Sequence, residues 1–390
     1  MAAFFNSPKE KFLIVDVNPS GASALFLNFD ERRELVFEKI TENIDLKKFL
    51  VAQAGSIFQK SWEGNYFFNS RRRLMILADA RLATTIPVPL DFRRDAALEN
   101  DLITLSEVED LFDRAIAKIF AKCRIEASRR LGTSDIDTVL VNQRVDWMAI
   151  DNRAISDPAG HSGRKISFVI ELTFAKRELS ETLTPFFNAP GEFFFAEAPR
   201  VRLAALAHVR PMPLCVIMAR DESKSSLFVL EEAEKGCPVV YHETFPWDSR
   251  ASVRSVATDF GVSLAAAEEL YDMYVRGEVS GTAKKHLDGL TAPSTERFLQ
   301  TLDKANIHGF TYLDAPQDLP LAMPCRRRRA MIENVPVAEL LKKFGFSIDG
   351  KAKISSRAAF RYLVPFFELY FENKQSGLNE LLRRKLHWLG

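Results

Sequence analysis

The sequence predicts a mixed α/β chain built from two related lobes. Three observations carry that expectation. A strand hairpin followed by helices and a further strand occurs twice, once in each half. A long stretch of helical period, residues 105–131, stands among strand-like runs of the first half. No short-period repeat or low-complexity tract is present, which argues against a solenoid or a disordered chain.

Taken in order, Phe12–Val17 is a compact apolar strand and Ala24–Phe29 a second, joined by the turn Asn18-Pro19-Ser20-Gly21. Glu34–Ile40 reads as a third strand, Leu46–Ala54 as a short helix, and Leu74–Ala78 as a buried strand after Arg71-Arg72-Arg73. From Leu105 to Leu131, Val108, Leu111, Phe112, Ala115, Ile116, Ile119 and Phe120 share one helical face, with Thr104 or Ser106 as cap. Strands follow at Thr138–Val141, Trp147–Asp151 and Lys165–Phe174, then a helix around Ser180–Phe187. Phe193–Phe195 lies between Pro and Gly, Arg200–Val209 suits helix or strand, and Pro211 and Pro213 mark the crossing between halves. The second half opens with Leu214–Met218 and Leu227–Leu230 as a hairpin. It continues with a strand at Val239–Phe245, helices at Ala251–Phe260, Leu264–Tyr274 and Ser294–Ala305, and a strand at Phe310–Leu313. Val337–Phe344 and Ser356–Phe371 read as the closing helices.

At 390 residues the chain needs more than one core. Its 53 basic and 52 acidic residues leave a net charge of +1, so no global field steers it to nucleic acid, and no nucleic-acid partner is expected. Cys123, Cys215, Cys237 and Cys325 lack C-x-x-C spacing and predict reduced thiols of a cytosolic protein. The histidines fall at no zinc-ligand spacing, so no metal site is expected. The first residues lack the pattern of a signal peptide, and Arg361, Pro365 and Glu368 break the best candidate for a membrane span.

Three stretches resemble the actin-like proteins of the bacterial FtsA and PilM group. FLIVDVNPSGASALFL resembles their opening strand–Asp–turn–strand. The stretch beginning LVNQRVDWMAIDNRAISDPAGHSGRKISFVIELTF resembles the SHS2-type insertion of FtsA, with Asp157, Pro158, Gly160 and Gly163 forming its turn. HETFPWDSRASVRSVATDFGVSLAAAEELY resembles the segment after the second phosphate loop, with Ala267-Glu268 on its second helix. The resemblance implies an actin-like (ribonuclease H-like) two-lobed α/β fold. Residues 1–85 would form the first part of lobe 1, 86–190 the SHS2-type subdomain and 191–212 the return to lobe 1. Residues 213–372 would form lobe 2 with a reduced 2B subdomain, followed by a linker at 373–377 and a helix at 378–390.

In that family ATP and Mg²⁺ lie between glycine-containing hairpins, because only glycine lets backbone N–H groups approach phosphate closely. The resemblance places Asp16 at the family aspartate of the first hairpin, with Ser20 and Gly21 in its turn and Glu268 on a helix lining the cleft. The glycine two residues after Asp16 is replaced by Asn18, and Pro19 has no N–H to donate. In the second hairpin Ala219 replaces the aspartate and Asp221 a glycine. Asp314-Ala315-Pro316-Gln317 stands where a Gly-Gly turn would hold adenosine. Ser255 takes the acidic position of the connecting helix, and Tyr271 that of a lysine. These departures predict a pseudo-ATPase with no catalytic residues. ATP with Mg²⁺ would be a cofactor only if the altered cleft still binds it.

The last residues, GLNELLRRKLHWLG, place Leu378, Leu381, Leu382, Leu386, Trp388 and Leu389 on one side of a helical wheel. Asn379, Glu380, Arg383, Arg384 and His387 take the other side, and Lys385 snorkels from the apolar face. Such a helix suits a lipid headgroup layer, and FtsA-like proteins end in one. Arg326–Arg329 reads as a solvated loop, or as a second contact to anionic lipid. The expected function is a self-assembling division scaffold, peripheral on the cytoplasmic face of the membrane, with division proteins and FtsZ as candidate partners. The alternatives are a PilM-like adaptor that grips a peptide of a membrane protein, and an active ATPase with unusual loops.

Overall fold

In the computed structural model the described residues are 10–58, 62–63, 66–67, 72–187, 193–219, 225–232, 238–348, 354–372 and 379. The chain divides into two compact units. The first comprises Met1–Val201, Ala233–Pro238 and Ala338–Gly390, and the second Arg202–Glu232 and Val239–Val337.

In the first unit, β1 (Glu10–Asn18), β2 (Gly21–Phe29) and β3 (Glu34–Ile44) form an antiparallel meander, and α1 (Leu46–Phe58) follows. After the short pair β4 (Trp62–Glu63) and β5 (Tyr66–Phe67), β6 (Arg72–Ala78) joins β1 in parallel. A second layer is inserted next. It consists of β7 (Ala83–Arg93), α2 (Leu105–Leu131), β8 (Thr138–Ile150), β9 (Arg153–Ala154), β10 (Lys165–Lys176) and α3 (Arg177–Phe187). The chain then returns through β11 (Phe193–Glu197), parallel to β6, and enters α4 (Ala198–Ala207). The main sheet therefore has the order β11-β6-β1-β2-β3, with Ser347–Ile348 from the end of the chain added in parallel beside β3, and the inserted sheet β7-β10-β8-β9.

Burial explains these elements. Phe12–Val15 and Leu74–Ala78 are fully shielded on both faces, as expected of central parallel strands, so each reads as an unbroken apolar run. Helix α2 begins where the Thr104 side chain accepts from the Glu107 N–H and ends at Gly132, whose φ of 62° only glycine adopts cheaply. Its apolar face, with Val108, Phe112 and Ile116, packs with Phe168, Ile170 and Phe174 of β10 in the core of the insertion.

A tight turn precedes β10. Asp157 Oδ1 accepts from the Ala159 N–H at 2.9 Å, Pro158 is buried, and Gly160 has φ of 80°. Gly163 is needed for room: a Cβ there would lie 2.3 Å from Ile150 Cγ2 and 2.8 Å from Asp151 Oδ2.

The second unit opens with the hairpin β12 (Leu214–Met218) and β13 (Ser225–Glu232), beside β14 (Pro238–Phe245). Helices α5 (Ala251–Phe260), α6 (Leu264–Val275) and α7 (Gly281–Lys304) follow, then β15 (Gly309–Asp314), β16 (Cys325–Arg327), β17 (Ala330–Ile332) and α8 (Val337–Phe344). β15 runs parallel to β12, and β17 parallel to β15. The order β14-β13-β12-β15-β17 thus repeats β3-β2-β1-β6-β11 of the first unit, strand for strand. The chain closes in the first unit with β18 (Ser347–Ile348), the short α9 (Ser356–Ala358), a π-helical turn at Ala359–Leu363 and α10 (Val364–Glu372). Phe366 and Tyr370 pack edge-on against Phe12 and Phe29 over the main sheet.

Several sequence-based expectations need correction. β8 is one strand, where two were expected at Thr138–Val141 and Trp147–Asp151, with bulges at Val145/Trp147 and Leu140/Asn142 absorbing the irregular pattern. β7 was not anticipated; it carries Pro87 and Pro89. As an edge strand it tolerates both prolines while pairing with Glu171 and Val169. Phe193–Glu197 is a strand, and Arg200 lies on a helix. α7 begins at Gly281, well before the expected Ser294. Ser356–Phe371 is interrupted by the π-helical turn, where Tyr362 Oη donates to Ser23 Oγ at 2.8 Å. Of the run Arg326–Arg329, Arg326 and Arg327 belong to β16 and Arg328 and Arg329 form the turn into β17; Arg326, Arg328 and Arg329 are exposed, and Arg327 and Arg328 pair with Asp303 at 3.1 and 3.3 Å.

Candidate functional site

In open α/β sheets, ligands bind beyond the carboxyl ends of the parallel strands. In the first unit those ends carry three carboxylates. Asp16 lies near the end of β1, Asp79 directly follows β6, and Glu197 ends β11. The parallel register sets Val17 beside Ala78 and Ala78 beside Glu197, so the acids come from three adjacent strands. All three are buried, at 1%, 4% and 3% exposure.

Glu197 Oε2 accepts the Thr85 N–H at 2.8 Å. Burial nevertheless pushes the Glu197 carboxyl from its ordinary 4.5 up to about 7; the Thr85 hydrogen bonds oppose this, and nearby Asp79 adds to it. Asp79 Oδ1 accepts from the Arg81 N–H at 3.0 Å and from Arg81 Nε at 3.1 Å, closing its own turn. One turn along α4, Arg200 ion-pairs with Glu171 of β10, which also holds Arg144 of β8 at 2.6 Å.

In the turn beside Asp16, Asn18 Oδ1 accepts both the Ser20 N–H at 2.9 Å and the Ser20 hydroxyl at 2.5 Å. Ser20 thus spends its donors within the turn. Gly21, expected in the turn, is the first residue of β2, which begins three residues before the expected Ala24. Asp16, Ser20 and Gly21 are brought together at this one hairpin. Glu268 stands on α6 of the second unit, beside the cluster that Val253, Val256, Ala267, Tyr271 and Leu287 form among α5, α6 and α7. Ser255 is exposed on α5, its hydroxyl bonded to the Ala251 carbonyl at 3.0 Å. Tyr271 is buried and donates to the Asp318 carbonyl at 3.2 Å.

The matching strand ends of the second unit are filled differently. β12 ends at Met218 and β15 at Asp314, which are register partners. Arg202, with no solvent exposure, donates from Nη1 to Asp314 Oδ2 at 2.6 Å and approaches Met218 Sδ at 3.4 Å. Ala219 donates its N–H to the Asp314 carbonyl at 2.8 Å, and its own carbonyl accepts from the Ser249 hydroxyl at 2.6 Å. Asp221 lies outside the described residues. Among the described residues, no group of three His, Cys, Asp or Glu side chains could hold a metal ion.

Sequence reasoning named Asp16 and did not name Asp79, Glu197, Arg200 or the Arg202–Asp314 pair. The signal for Asp79 and Glu197 was present, since each ends an apolar strand run.

Of the C-terminal segment, Asn379 alone is described, and it is partly buried. Its Oδ1 accepts the Val145 N–H at 2.8 Å, and its Nδ2 donates to the Val145 carbonyl at 3.5 Å. Asn379, placed by the sequence on the polar side of a helix, has its amide bound to β8. Leu378, Leu381, Leu382, Arg383, Arg384, Lys385, Leu386, Trp388 and Leu389 lie outside the described residues. Among the described residues, no helix is long and apolar enough to cross a membrane.

No protein-family model matches the chain, and no curated protein matches it. Solved structures do. A PilM–PilN type IV pilus biogenesis complex is 12% identical with a TM-score of 0.48, covering 94% of this chain and 99% of that one. A Bacteroides thetaiotaomicron protein of actin-like ATPase fold is 12% identical with a TM-score of 0.28, covering 67% and 81%. The cytoplasmic domain of EpsL, an inner-membrane component of the Vibrio cholerae type II secretion system, is 10% identical with a TM-score of 0.33, covering 89% and 98%. Likenesses of this degree do not bear on activity. The twice-repeated strand order with a sheet inserted after β6 is the feature of this chain that makes its fold actin-like.

Proposed function

We propose that the chain is an actin-like scaffold that does not turn over ATP and works by holding other proteins at the cytoplasmic face of a membrane. The observation that carries this reading is Arg202. A fully buried guanidinium, ion-paired to Asp314, occupies the strand ends of the second unit where a nucleotide would approach. Three features support it. Asp314 presents a carboxylate where adenosine would meet glycine, Ala219 offers no oxygen ligand from its side chain, and the Ser20 donors are held by Asn18. The residues present do not fit ATP with Mg²⁺, so no step is routed through it. Calorimetric titration of the full chain with ATP and Mg²⁺ is expected to give no binding heat up to millimolar nucleotide. Submillimolar binding would restore the ATPase reading.

Two forms of scaffold remain, an FtsA-like tether and a PilM-like adaptor for a peptide. The apolar and basic composition of residues 378–390 supports the tether. The Asn379–Val145 contact supports the adaptor, because it shows what β8 can grip. Self-assembly and contact with FtsZ belong to the tether reading. Deleting Leu378–Gly390 is expected to abolish co-sedimentation with anionic vesicles if the chain is a tether. Unchanged sedimentation leaves the adaptor.

A further inference from the structure

We propose that Arg200 is a switch shared by two buried carboxylates, Glu171 of β10 and Glu197 of β11. Its position sets how firmly the inserted sheet is held to the main sheet. β11 forms one edge of the main sheet and runs straight into α4, so Glu197 and Arg200 stand three positions apart. Arg200 Nη1 donates to Glu171 Oε1, whereas its Nε lies 4.0 Å from Glu197 Oε2, inside ion-pair range but past hydrogen-bond reach. Glu171 has a second arginine, because Arg144 Nε donates to its other oxygen at 2.6 Å. Arg200 is therefore bonded to a carboxylate that keeps an arginine when Arg200 leaves, and it stands beside another carboxyl group.

These groups lie at a junction within the first unit. From the end of β11 and the start of α4, one polar contact reaches each long strand of the inserted sheet. The Phe195 carbonyl accepts from Asn142 Nδ2 of β8 at 3.0 Å, Glu197 Oε2 accepts the Thr85 N–H of β7 at 2.8 Å, and Arg200 donates to Glu171 of β10. Thr85, Glu171, Glu197 and Arg200 are all buried, so water does not replace a partner that one of them gives up.

The proton on Glu197 decides which carboxylate holds Arg200. Facing Glu197 are Thr85 of β7, Asp79 after β6, Arg200 of α4 and Arg130 of α2. Around Arg200 lie Glu171 of β10 and Arg144 and Asp146 of β8. Burial, with Asp79 adding to it, keeps the Glu197 carboxyl protonated up to about pH 7, and the neutral group does not compete for Arg200. Above that pH Glu197 is a buried charge beside a guanidinium that stays protonated throughout this range. Arg200 then turns to Glu197, Arg144 keeps Glu171, and the tie from α4 to β10 is given up. The inserted sheet stays attached through Asn142 and through the Thr85 N–H, whose bond to a charged acceptor strengthens. Acidification reverses the exchange.

The test uses the full chain with ¹⁵N-labelled arginine, as wild type, Glu197→Gln and Glu171→Gln, with the Arg200 Nε–H signal assigned through Arg200→Lys. In the wild type that signal is expected to move between pH 6 and pH 8 with a midpoint of about 7, and in E197Q to stay at its wild-type pH 6 position. In E171Q, where Glu197 has no rival, it is expected at the wild-type pH 8 position throughout. Hydrogen exchange of residues 165–176, corrected for the intrinsic effect of pH, is expected to be about threefold faster at pH 8 than at pH 6 in wild type and equal at both in E197Q. A wild-type signal that is flat with pH, or one that moves as far in E197Q, overturns the inference. So does an E171Q signal at the wild-type pH 6 position, or inserted-sheet exchange that responds alike in wild type and E197Q. If E171Q does not fold, the comparison of wild type with E197Q decides alone.

Discussion

Arg202→Met is expected to lower the unfolding free energy of the second unit by about 3–5 kcal/mol, the usual cost of breaking a buried ion pair by removing one side. Arg202 has no exposed surface, and Asp314 is 1% exposed. With the guanidinium gone, the Asp314 carboxylate at the end of β15 loses the donor that lies 2.6 Å away and stays out of water. Asp314→Leu should also destabilise, by removing the carboxylate that accepts from Arg202. The double variant, Arg202→Met with Asp314→Leu, should recover most of the loss, since two apolar groups of similar volume leave no charge unpaired. Urea denaturation followed by tryptophan fluorescence measures all three, with Trp247 buried in the same unit as reporter. A loss below 1 kcal/mol in both single variants would mean that the pair does not close the strand ends as described.

Glu197 gives the second large effect, and its sign is unusual for a carboxylate. Burial raises its folded-state value to about 7 from an ordinary 4.5. Between those two values the folded chain binds more protons than the unfolded chain, so stability falls as pH rises. The contribution is fully present below pH 4.5 and is lost as pH passes 7. The gap corresponds to about 3 kcal/mol. Glu197→Gln keeps an oxygen to accept the Thr85 N–H and has no charge to bury. It is therefore expected to stabilise the chain by about 3 kcal/mol at pH 8, relative to wild type, and by little at pH 4.5. Denaturation midpoints of both chains at the two pH values give the comparison. Parallel pH profiles would show that Glu197 is not the titrating group.

The elements that could be read from the sequence are those whose burial is one-sided or complete. The apolar runs at Phe12–Val17 and Leu74–Ala78 became central strands, and the limits of α2 follow from Thr104 and Gly132. Elements with mixed burial misled. The polar stretch Asn142–Arg144 looked like a break between strands, yet Gln143 is wholly buried and Arg144 is paired with Glu171 from a strand 27 residues away. Pro87 and Pro89 signal a turn wherever both edges of a strand must pair, and β7 escapes that rule only by lying at the sheet edge. Gly281, Gly289 and Pro293 similarly hid the first half of α7, whose Leu287 and Thr291 are buried.

Local patterns of apolar and turn residues determined by themselves that this is an α/β chain with two hairpin-led halves. They also placed an aspartate at the end of its first strand and gave the later hairpin a residue pattern unlike a phosphate clip. The tertiary structure decided which charges lie together. Asp79 joins Glu197 across 118 positions, Arg202 reaches Asp314 across 112, and Asn379 reaches Val145 across 234. The physical reason is that periodicity records burial along one element, whereas a buried polar group takes its partner from whichever element the packing delivers. No spacing in the sequence encodes that choice.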